Sequence, residues 1–200
     1  MTLISESLRA ELAAAYATDD RHYHDLRHIE TLLAMADACA DDIADREAVE
    51  AAIWFHDAVY DTQREDNEAR SAALAEAQLA GMASDERIAR IAAMIRATAG
   101  HAMPDVIDAA ARQDCALFLD MDLAILGSPE ADFDAYEAAV RREYDWVTEP
   151  QWRQGRRAVL AGFLARPAIY ATPRFQASHE AAARRNLTRA IARLDEQQGP

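Results

Sequence analysis

The stretch IWFHDAVYD, residues 53–61, sets a histidine beside an aspartate inside an apolar run. Ile53, Trp54 and Phe55 precede His56 and Asp57, and Ala58, Val59 and Tyr60 follow. A buried carboxylate without a partner is costly, so such a group is normally hydrogen-bonded, ion-paired or bound to a metal. A second His–Asp pair, His24–Asp25, lies in the polar stretch DDRHYHDLRHIE (19–30), where Asp25 reads most simply as a helix N-cap. Capping does not account for His56–Asp57, and more distant residues supply partners of the right chemistry. His28 opens the preceding helix, while Asp120 and Asp122 interrupt the apolar segment LFLDMDLAIL (117–126). Two histidines and two aspartates drawn from three helices can converge on one divalent cation. Imidazole nitrogen with carboxylate oxygen suits Mn, Fe, Ni, Co, Zn or, less well, Mg. Four such ligands leave positions for water and substrate, as a hydrolytic metal centre requires. Residues two apart on a helix point about 200° apart, so only one of Asp120 and Asp122 is expected to face a shared cation.

Other residues compete for roles. His24 and His28 stand at i and i+4, and HDLRH (24–28) compares with the zincin HExxH motif with Asp in place of Glu. Asp is one methylene shorter and no third ligand motif follows, so this is the minor metal reading. His24 otherwise suits a contact to substrate phosphate. His101, just past a helix, is either a loop histidine or a substrate contact. Glu68 is either an acid at a helix N-terminus, where it stabilises the dipole, or a carboxylate that orients attacking water. Arg21 and Arg64 are candidates for bidentate phosphate binding, and His22 and His179 read as surface or helix-end residues.

The elements that must position these groups are helices throughout. Apolar residues recur with helical spacing over 4–16, 28–39, 46–60, 67–82, 84–100, 112–127 and 128–146, and again near 150–165 and 178–196. Ser84 with the following acids marks an N-terminus, and Gly100 is expected to stop that helix in the left-handed conformation. No alternating strand pattern, repeat or Gly/Pro-rich linker interrupts the series. The expectation is one all-α domain of about eight or nine helices.

Composition narrows the function. With 21 basic and 35 acidic residues the net charge is −14, which disfavours long nucleic acid and anionic membranes. Every basic residue among the 21 is arginine, which excludes a lysine Schiff base and a Walker-type phosphate loop. Cys39 and Cys115 stand apart without CxxC spacing and read as reduced core thiols. No leader pattern and no membrane-length apolar run is present, so a cytoplasmic location is expected.

The ordered pattern H…HD…D on an all-α chain resembles the HD superfamily of metal-dependent phosphohydrolases, in particular a branch of predicted HD-type phosphohydrolases. The matching motifs are RHYHDLRHI (21–29), WFHDAVYD (54–61), DNEARSA (66–72), RATAGH (96–101), FLDMDLAILG (118–127) and EAAARRNL (180–187), and they extend over nearly the whole chain. The resemblance implies a single HD-like domain over 1–200, with a metal core roughly at 20–127 and helices 128–196 packed on it. It implies His28, His56, Asp57 and Asp122 as metal ligands. Asp122 is preferred to Asp120 because its pairing with Leu123 matches the family pattern. Asp57 would also bridge a second metal or orient the nucleophile. His24 and His101 would face the phosphoryl charge, and Glu68 would orient water. The implied activity is hydrolysis of a small phosphate ester or nucleotide; the alternative is an HD module that binds metal or nucleotide without turnover.

Overall fold

The computed structural model describes residues 2–104 and 109–196, and among these it is all-α. Contacts gather into two compact units, one ending at Met121 and the other beginning at Asp122. Among the described residues no helix is long and apolar enough to cross a membrane.

The first unit begins with α1 (Glu6–Ala15) and α2 (Leu26–Ala38), which a short 3-10 turn (Ala40–Asp42) follows. Then come α3 (Arg46–Phe55), α4 (Asn67–Leu79), α5 (Asp85–Ala97) and α6 (Ala109–Asp122). The unit boundary falls one residue before the end of α6, so Asp122 is described with its helix. Side-chain oxygens start several helices by accepting orphan backbone N–H groups. Ser5 accepts from Leu8, Asp25 from Arg27 and His28, Asp45 from Ala48, and Ser84 from Arg87. The buried carboxylate of Asp114, on α6, accepts from the backbone N–H groups of Ala44 and Asp45 at 2.7 and 2.8 Å, fixing the entry to α3.

α3 is the most buried helix: Ala48, Val49 and Ala51 to Phe55 are all enclosed. It ends at Phe55, short of the Tyr60 that periodicity predicts. The reason is local. His56 turns its Nδ1 back to the Ile53 carbonyl at 2.9 Å, and the buried Ser71 hydroxyl of α4 bonds both the N–H and the C=O of Val59. Val59 thus lies beyond the helix with both its backbone groups satisfied. Gly81 (φ 76°) supplies the left-handed stop after α4. After α5, however, that conformation belongs to His101 (φ 44°) and not to Gly100. The predicted glycine stop is one residue out of place.

The second unit holds a 3-10 helix (Leu123–Gly127) and three helices, α7 (Glu130–Glu143), α8 (Glu149–Leu164) and α9 (Pro173–Glu196). The apolar helix predicted to run to Gly127 therefore changes to 3-10 geometry after Asp122. α9 holds that turn in place. The Asn186 amide donates to the carbonyls of Leu126 and Ser128, both at 3.0 Å, and Tyr170, just before α9, donates its hydroxyl to Leu123. Gly127 lies against the backbone of His179, so closely that an added Cβ would fall 2.6 Å from the His179 Cβ. Glu180 accepts from the N–H groups of Ile169 and Tyr170, and Arg184 donates to the carbonyls of Leu164, Arg166 and Pro167. The EAAARRNL motif is a lacing device for the turn before it.

Candidate metal centre

His28 occupies the first turn of α2, where the Asp25 cap fixes the direction of the chain. His56 is the residue that closes α3, and Asp122 is the last residue of α6. The structure brings these three together: one ligand atom from each lies within 4.8 Å of the other two. Both imidazoles are buried, His56 to 1% exposure, and Asp122 is half-buried. The two Nε2 atoms stand 3.2 Å apart. Nitrogens sharing one cation at bond lengths of about 2.0–2.1 Å lie roughly 2.8–3.4 Å apart for right-angled to tetrahedral geometry, so the observed spacing fits a common ion.

Proton bookkeeping at His56 points the same way. Its Nδ1 faces a carbonyl, which only accepts, so Nδ1 carries the hydrogen. In a neutral ring, Nε2 is then a lone pair. That lone pair faces Asp57 Oδ2 at 3.1 Å as well as His28 Nε2. A proton on either Nε2 or a shared cation would satisfy these atoms. A histidine whose Nδ1–H is held by a backbone carbonyl is in the tautomer that presents Nε2 to metal. The donor set, two imidazoles with carboxylate, suits a divalent transition metal.

Asp57 adjoins this group through His56 and is part of its immediate surroundings. Asp120 is buried at 1% exposure and is not one of the three. His24 sits before the start of α2, half-buried, its ring 4.6 Å from Tyr60 and 6.1 Å from His28. Asp25 between them is spent on capping α2 and on bonding Arg27. The helical i, i+4 presentation on which a zincin motif depends is not formed. His101 lies in the turn after α5, and Glu68 in the first turn of α4. Arg64 is exposed and forked onto Asp66 at 2.7 Å through two nitrogens, so its phosphate-binding geometry is already occupied by a carboxylate.

Aromatic neighbours are the part that sequence reasoning missed. Tyr23 packs on His28 with ring centroids 5.0 Å apart, and Phe118 of α6 meets the His56 ring edge-on at 5.7 Å. Within the second unit, Tyr136 of α7 feels the charge of Asp122. Its buried hydroxyl accepts from Arg156 at 2.8 Å, and Arg156 is bonded in turn to Glu137. Burial raises the Tyr136 phenol above its ordinary range, and the Asp122 charge adds to the rise while Arg156 opposes it. Adjacency to the histidines, as in Tyr23-His24 and Phe55-His56, was the available signal for some of these residues; nothing in sequence marks Tyr136. Compared with known protein families, curated proteins and solved structures, the chain matches none.

Proposed function

We propose that this chain is a metal-dependent phosphohydrolase of the HD type, acting on a small phosphate ester or nucleotide. The observation that carries the reading is the buried meeting of His28, His56 and Asp122, with Asp57 against His56 Nε2. His28, His56 and Asp122 would hold the cation, joined by Asp57 through a modest movement of its carboxylate. A divalent cation there supplies Lewis acidity toward a phosphoryl oxygen and lowers the pKa of water. Asp57, half-buried and carrying two oxygens, would bridge a second metal or orient the attacking water. His24, half-buried beside Tyr60 with its ring 6.1 Å from that of His28, would face the phosphoryl charge. The roles of His101 in substrate contact and of Glu68 in orienting water rest on the motif resemblance. The net charge of −14 supports a small substrate over long nucleic acid or an anionic membrane. The buried thiols of Cys39 and Cys115, not joined in a disulfide, support a cytoplasmic location.

The test is a chelator-stripped protein reloaded with Mn, Co, Ni, Zn or Mg and screened on phosphomonoesters, phosphodiesters and nucleotides. Metal-dependent turnover that His56→Ala abolishes is the expected result. Stoichiometric metal without turnover would instead identify a binding module, and no metal uptake would overturn the reading.

A further inference from the structure

Arg21 is buried to 8% exposure, and its two ends are tied to the two segments that carry the histidine motifs. Nη1 donates to the His24 carbonyl at 2.8 Å, in the segment that launches α2 and His28. Nη2 reaches the Ala58 carbonyl at 3.4 Å, one residue beyond Asp57. The guanidinium lies between two aromatic rings, 4.8 Å from the Tyr16 centroid and 5.1 Å from that of Tyr60. Tyr16 is itself anchored, its hydroxyl donating to the Trp54 carbonyl at 3.0 Å near the end of α3.

We infer that Arg21 is a positioning residue for the metal centre, a clamp that sets the distance between His28 and His56 by bonding the backbone on either side. A buried cation is tolerated only with partners that satisfy it. Here the partners are two carbonyls and two ring faces. Only the planar fork of arginine bonds two separate acceptors while stacking on aromatics; lysine is a single point charge. The arrangement is also unfavourable for a merely electrostatic role. A guanidinium bonded to the carbonyl of Ala58, next in the chain to Asp57, repels a divalent cation, so loss of its charge alone would tighten metal binding. Loss of the clamp would weaken it. The sign separates the two.

This inference rests on the metal reading above, and cobalt distinguishes their failures. Stripped wild type, Arg21→Met, Arg21→Lys and Tyr16→Phe are titrated with Co(II) while the visible ligand-field bands are recorded, and the melting of each metal-free protein is measured. Arg21→Met is expected to weaken Co(II) binding about 10- to 100-fold, the scale of lost outer-shell support, and to change the band envelope. Arg21→Lys should recover part of the affinity. Tyr16→Phe keeps the ring and loses the Trp54 bond, so it should melt earlier with Co(II) affinity unchanged. Equal or tighter Co(II) binding with unchanged bands in Arg21→Met overturns the clamp. So does an equal loss in Tyr16→Phe, which would mark general destabilisation. If Arg21→Met does not fold, wild-type affinity and bands in Arg21→Lys overturn it instead. A wild type that takes up no Co(II) removes the metal reading and the clamp together.

Discussion

His56 has two ring nitrogens with opposite duties, one fixed on the Ile53 carbonyl and the other turned toward His28 and Asp57. Replacing it with alanine should abolish metal uptake, measured by elemental analysis, while the helical circular dichroism largely survives. Asp122→Asn should weaken metal affinity by about 10- to 100-fold, the range seen even for supporting residues. Asp120→Asn should cost melting temperature more than metal, because a carboxylate exposed to 1% is replaced where an amide must find different partners. Metal lost with Asp120→Asn and kept with Asp122→Asn would reverse this assignment. Much of this residue-scale pattern was legible in the sequence. His56–Asp57 stood out because ionisable groups are rare in apolar runs, and the half-turn between Asp120 and Asp122 forced a choice. What could not be read was the placement of Arg21 and of Tyr60 and Tyr136, whose partners are backbone carbonyls, rings and guanidinium groups brought in from other segments.

At the scale of elements, the helices were visible and their ends were not. Periodicity runs through residues 56–60, but it cannot register a serine on another helix that takes over the bonds of Val59. Likewise α9 begins at Pro173, earlier than the predicted 178, because proline at a first helical position costs no hydrogen bond. Two substitutions test the joints. Gly127→Ala places a methyl 2.6 Å from the His179 Cβ and 2.7 Å from its carbonyl oxygen. One of these chains must move, and the expected cost is about 1–3 kcal/mol, read as a lower denaturation midpoint at unchanged m-value. Asp114→Ala strips two N–H groups of their acceptor at the entry to α3. Each orphaned group costs about 1–3 kcal/mol where water cannot reach it. A change below half a kcal/mol in either variant would show that the joint relaxes freely.

For the molecule as a whole, an excess of acid over base makes low pH the informative direction. Asp45 is held below the ordinary carboxylate range, first by hydrogen bonds from Arg87 and then by the Ala48 N–H, with burial opposing. A depressed folded-state value means that its stabilisation is complete above the unfolded value of about 4 and is lost as pH falls through the folded one. Arg87→Met should therefore lower stability at pH 7 and flatten the fall below about pH 4, followed by acid titration of the circular dichroism. An acid limb as steep as that of wild type would assign the loss to other carboxylates.

The Cys115 thiol, buried in the helix that ends at Asp122, is pushed up to about 12 by its enclosure. A thiol of that kind reacts with an alkylating reagent only during the moments when its surroundings open. Its modification is thus a clock built into the molecule. When reclosing outpaces reaction, the labelling rate divided by that of a free thiol is the fraction of time α6 spends open. A cation gripped at the end of that helix would slow the clock in proportion to its occupancy, so the ticking of one sulfur reports, without any substrate, whether the centre is filled.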